Sequence, residues 1–82
     1  MKKKTAFKSV DEIFSFIAEH KKFPPIVEIL LTSTQLDYLK QVFIDGVSWY
    51  RASLNRKRSA TASYNARFRI KAKLNEYLVE NR

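Results

Sequence analysis

The sequence contains no cysteine, a single glycine and only two prolines, which stand side by side at Pro24 and Pro25. Without thiols the chain forms no disulfide and no thiolate metal site, and a reducing compartment suits it. It also lacks a long hydrophobic run. The longest apolar stretch, Ile26 to Leu31, is interrupted by Glu28 and falls far short of a bilayer span. The Lys2-Lys3-Lys4 start is followed by a segment broken by Lys8, Asp11 and Glu12, which cannot act as the apolar core of a secretion signal. These absences lead to the expectation of a soluble, cytoplasmic chain with no membrane insertion, its tri-lysine a solvated tail.

Catalytic groups are equally scarce. His20 is the lone histidine and reads as a surface or capping residue, and the eight acids are scattered. No Gly-rich phosphate loop is present, nor any His/Asp/Glu cluster at metal spacing. The expectation is therefore no enzyme, no metal and no cofactor.

What is present suits one small folded domain. The 82 residues are 45% hydrophobic, including six Phe, four Tyr and one Trp, which is enough for a core. Charge is lopsided. Residues 1–41 carry seven Lys/Arg against five acids, and residues 42–82 carry nine against three. Between Arg51 and Lys73 stand eight cations (Arg51, Arg56, Lys57, Arg58, Arg67, Arg69, Lys71 and Lys73) and no acid. A field of that sign attracts polyanions, because each phosphate contact releases condensed counterions.

Hydrophobic spacing predicts an all-α bundle of four to five helices. Ser9 with Glu12 three residues on forms a capping box, and Val10, Ile13, Phe14 and Ile17 make a helical stripe over residues 9–21. Phe23-Pro24-Pro25 ends that helix. Residues 25–31 suit a short helix with proline at its first position, with an extended segment as the competing conformation. Thr32-Ser33-Thr34 cap a helix carrying Leu36, Leu39, Val42 and Phe43, which ends at Asp45-Gly46, where a positive φ is needed. Ser48 caps a helix to about Leu54, and Ser59 or Thr61 caps the last one, to about Val79.

Two strand signals compete. Val42 to Trp49 around Asp45-Gly46 has the form of a hairpin. Tyr64, Ala66, Phe68, Ile70, Ala72 and Leu74 alternate with polar residues. Ala62, Ala66, Ile70 and Leu74 also recur at four-residue steps, and among the alternating residues only Ile70 is β-branched, which favours a helix there.

Helix, Asp-Gly turn, short helix, basic turn and long basic helix over residues 34–74 is the layout of a helix-turn-helix DNA reader. The chain is then organised as an N-terminal helical part, residues 5–31, and a helix-turn-helix-like basic part, residues 32–80. Ala52 supplies the small residue where the two motif helices cross. Ala62, Ala66 and Ile70 supply the inner face of the second. Thr61, Tyr64, Asn65 and Phe68 point outward, where Asn pairs with adenine and Thr or aromatic groups touch thymine methyls. Arg51, Arg56, Lys57, Arg58, Ser59, Arg67 and Lys71 are the expected phosphate contacts. Phe16, Phe23, Trp49 and Tyr50 are candidates for a partner interface, with core packing the alternative for Trp49, Tyr50, Phe43 and Phe68.

The stretch from Val42 to Ser48 through Ala52, then Ser59 through Leu74, resembles the KorA and PapB type of bacterial helix-turn-helix regulators, with an apolar pair and glycine before the motif and a basic helix after it. The likeness covers about half the chain. It departs from that pattern at Asn55-Arg56-Lys57-Arg58, which offers neither the usual glycine nor an apolar plug. The resemblance implies a transcriptional regulator binding operator DNA as a dimer. The competing expectation is a phage-type accessory regulator acting by protein–protein contact in the cytoplasm, on host transcription or on a holin to control lysis timing.

Overall fold

The computed structural model describes residues 7–80. The tri-lysine segment lies outside them. Five helices follow one another: α1 Val10–His20, α2 Pro25–Leu30, α3 Ser33–Leu39, α4 Trp49–Asn55 and α5 Ala60–Glu80. No strand occurs among the described residues, so both strand signals resolve as helix or turn. Five helices in a small all-α bundle match the expected class.

Local chemistry accounts for the boundaries. The Ser9 hydroxyl accepts from the Glu12 N–H at 3.3 Å. The Glu12 carboxylate, however, accepts from the Lys8 N–H at 3.1 Å rather than from Ser9, so the expected capping box closes one residue further out. Lys21, at φ 57°, ends α1 in the left-handed region. Pro25 opens α2, where a missing N–H costs no helical hydrogen bond. The complete capping box sits at α3. There the Thr32 hydroxyl accepts from the Gln35 N–H at 3.2 Å, and the Gln35 side-chain carbonyl accepts from the Thr32 N–H at 3.0 Å.

The third helix differs from expectation in its second half. From Lys40 to Ile44 it widens into a π-helical turn, and the Asp45 N–H donates to the Lys40 carbonyl five residues back. Gly46, at φ 78°, then reverses the chain, and the Val47 N–H closes on the Gln41 carbonyl. Phe43 emerges from this turn stacked on Phe14 at 4.6 Å and edge-on to Trp49 at 6.1 Å.

One apolar core joins all five helices: Val10, Ile13, Phe14 and Ile17 of α1, Val27 of α2, Leu39 of α3, Ala52 of α4, and Ile70, Leu74 and Leu78 of α5. The α1 stripe is the one its spacing predicts. Burying each large aliphatic group contributes roughly 1.5–3 kcal/mol. The long helix α5 packs most extensively on α4 and also meets α1, α2 and α3.

Tyr38 adds a polar pair to this core. Its ring is buried, and its hydroxyl meets the buried Ser53 hydroxyl of α4 at 2.9 Å. Either alone would leave a desolvated hydroxyl without a partner. Tyr38→Phe and Ser53→Ala are each expected to cost about 1–2 kcal/mol, and the double variant about 1 kcal/mol less than their sum. Denaturant melts of the four proteins check this, and strict additivity would mean the hydrogen bond contributes nothing.

Candidate nucleic-acid interface

The basic stretch spans α4 and α5. Ala52 and Ser53 of α4 and Ser63 of α5 are fully or nearly fully buried, on two helices in extensive contact. Ala52 is buried, whereas the burial of Ser53 and Ser63 went unrecognised because isolated serines carry no periodic signal. The Ser63 hydroxyl donates back to the Ala60 carbonyl at 2.6 Å, which satisfies it locally.

The turn lacking glycine is nonetheless a regular helix ending. Lys57 itself takes φ 58°. The Arg58 N–H then donates to the Ser53 carbonyl at 2.8 Å, and the Lys57 N–H to the Leu54 carbonyl at 2.9 Å. This is a Schellman motif with lysine where glycine is usual. Ser59, rather than Thr61, caps α5, its hydroxyl accepting from the Ala62 N–H at 3.4 Å.

Arg56 departs from its expected role as a phosphate contact. Its guanidinium donates to Asp37 of α3 at 2.8 Å and to the Thr34 hydroxyl at 3.3 Å, and it lies 5.8 Å over the Tyr38 ring. The same Asp37 oxygen accepts from the Gln41 amide at 2.8 Å, and Gln41 in turn accepts from Asn55 at 2.8 Å. Arg56 therefore ties the α4–α5 turn to α3.

The other cations of the stretch are uncommitted. Among the described residues, Arg51, Lys57, Arg58, Arg67, Arg69 and Lys71 form no ion pair; the only two such pairs are Arg56–Asp37 and Lys40–Asp45. Lys73 donates to the neutral Gln35 at 3.1 Å. Arg51, Lys57, Arg58, Ser59 and Arg67 are exposed, and Lys71 is half-buried.

All four base-reading candidates, Thr61, Tyr64, Asn65 and Phe68, face solvent on the first half of α5. Tyr64 is 71% exposed and Phe68 74%, so neither belongs to the core. They lie four residues apart and so share one helix face. Asn65 stands partly round the helix from that line and also borders a groove toward α3. Ala62 and Ala66 are half-buried and Ile70 is buried, as the inner face requires.

Three of the four partner-interface candidates are occupied within the chain. Phe16 packs edge-on to Phe7 at 5.6 Å and lies 4.3 Å from the His20 ring. Phe23 and Trp49 are half-buried against the core, with Trp49 stacked 6.3 Å from Tyr38. Tyr50 alone remains exposed. Among the described residues no three His, Cys, Asp or Glu side chains gather where a metal ion could sit. No helix there is long and apolar enough to cross a membrane.

No family model, no curated protein and no solved structure matches the chain.

The Asp37 carboxyl is held below its ordinary value. Partial burial raises it, but the hydrogen bonds from Arg56 and Gln41 and the charges of Arg56 and Lys40 together outweigh that. A depressed folded-state value means the tie stabilises above the unfolded pKa and is lost as pH falls below about 4. Both partners are about one-third exposed, so Asp37→Asn should cost under about 1 kcal/mol at neutral pH. It should also flatten the acid side of the stability profile. Thermal melts from pH 3 to 7 test this, and profiles that stay parallel would remove Asp37 from the account.

Proposed function

We propose that the chain binds double-stranded DNA through residues 48–74, with the first three turns of α5 as the reading element, and that it serves as a transcriptional regulator in the cytoplasm. The observation that carries this reading is the outer face of α5. Thr61, Tyr64, Asn65 and Phe68 are exposed without a packing role, uncommitted Arg58, Arg67, Arg69 and Lys71 flank them, and no acid occurs from Gly46 to Asn75. An α-helix fits the major groove, where amide and aromatic side chains reach base edges and thymine methyls while cations on either side hold the phosphates. Arg51, at the start of α4, adds a cation on the neighbouring helix, as the first helix of such a motif does. A homodimer would place two α5 helices on successive turns of the groove.

Contact with an acidic protein is the second reading, and exposed Tyr50 and Leu54 on α4 favour it. Against it, Trp49 packs on the core, and Phe16 is half-buried beside Phe7 and His20.

Arg67→Ala and Lys71→Ala should weaken binding to every duplex and each lower the salt slope of log affinity by about 0.9. Tyr64→Ala and Asn65→Ala should instead relax base preference, at about 1–3 kcal/mol for the preferred site. Fluorescence titrations against a selected site and a random duplex at two salt concentrations distinguish the groups. Equal losses on both duplexes for all four variants would reduce the activity to generic polyanion binding. No binding at low salt would leave the protein-contact reading.

A further inference from the structure

A second feature, which shares Arg58, Asn65 and Arg69 with the DNA-reading face, lies on the α3 side of α5. There a groove of about 430 Å3 runs between the start of α3 and the first half of α5, within the size range of small-ligand sites. Its α5 wall is formed by Ala62, Asn65, Ala66 and Arg69, and Arg58 stands at one end. Thr32, Thr34 and Gln35 form the opposite wall, with Tyr38 between. The groove exists because Ala62 and Ala66, one turn apart, carry no side chain long enough to fill it.

Its electrostatics are one-sided. Arg58 and Arg69 both border it, and neither has an ion-pair partner among the described residues. Lys73 follows Arg69 by one helical turn and reaches the same wall through Gln35. No acid lines the groove. The acid on α3, Asp37, already accepts from Arg56 and Gln41. Cations gathered without a counter-charge repel one another, and in a merely structural groove an acid would relieve that. Two guanidinium forks, side-chain amides and threonine hydroxyls are instead donors suited to a tetrahedral oxyanion.

We infer that this groove binds a phosphate group, held by Arg58 and Arg69, with Asn65 and Gln35 as neutral donors. The phosphate can come from a free phosphate compound or from a nucleic acid whose bases face the outer side of α5. The inference rests on the groove alone and stands whether or not α5 reads DNA.

The test is a nitrogen-15 amide titration of the full chain, first with inorganic phosphate and then with a short duplex. Phosphate should give saturable, one-site shifts at Arg58, Ala62, Asn65, Ala66 and Arg69. Ala66→Leu keeps a good helix former and leaves every cation in place, yet it should abolish those shifts by filling the groove. Arg69→Gln should weaken the site by about tenfold, and Lys22→Ala, an exposed cation between α1 and α2, should leave it unchanged. If the duplex moves the groove amides and phosphate competes with it, the source is nucleic acid. If the duplex moves only the Thr61, Tyr64 and Phe68 amides, or does not bind, while phosphate still saturates, the source is a free phosphate compound. Shifts that grow linearly without saturation, that spread over all basic residues, or that persist in Ala66→Leu would overturn the inference.

Discussion

The α4–α5 turn is anchored by the tie between Asp37 of α3 and Arg56. Around that 2.8 Å contact gather the Thr34, Gln41 and Asn55 side chains, and beneath it the buried Tyr38–Ser53 hydroxyl pair. These bonds hold a turn that has no apolar plug and whose left-handed position is filled by lysine. The tie also engages the Asp37 carboxylate, and Arg51, Lys57, Arg58, Arg67, Arg69 and Lys71 form no ion pair among the described residues. The tie thus pins the turn to α3, while the core residues Ile70, Leu74 and Leu78 hold the body of α5.

The long helix divides its labour along its length. Its 21 residues extend about 30 Å. In the second half Ile70, Leu74 and Leu78 are buried in the common core. In the first half only Ser63 is buried. Large side chains there face outward because the inward positions are alanine and serine. Exposed aromatic groups and unpaired cations on one rigid element lower stability, and a polyanionic ligand offsets both by covering the rings and neutralising the charge.

Much of the fold was legible. The α1 stripe, Pro25 as a helix start, Gly46 as a stop, and Ser48 and Ser59 as caps all follow from side-chain chemistry acting over three or four residues. Four things were hidden, each because it depends on contacts distant in sequence or on backbone geometry without a residue signature. The π turn at Lys40–Ile44 leaves the apolar spacing almost unchanged. The Schellman turn uses lysine in place of glycine. Arg56 reads as one cation among eight until Asp37, nineteen positions earlier, is brought against it. The α3–α5 groove is made by two alanines that, in sequence, are simply an inner face. Among the candidate site residues, the outward set on α5 followed from helical phase, while Phe16, Phe23 and Trp49 could be assigned only by packing.

The most direct measurement of the central claim, that the first three turns of α5 meet DNA, is amide hydrogen exchange of the full chain with and without a random-sequence duplex at low salt. The account predicts slowed exchange concentrated in residues 58–72, with residues 10–31 unchanged. Protection centred on α1 and α2, or none anywhere under conditions that favour phosphate attraction, would contradict it.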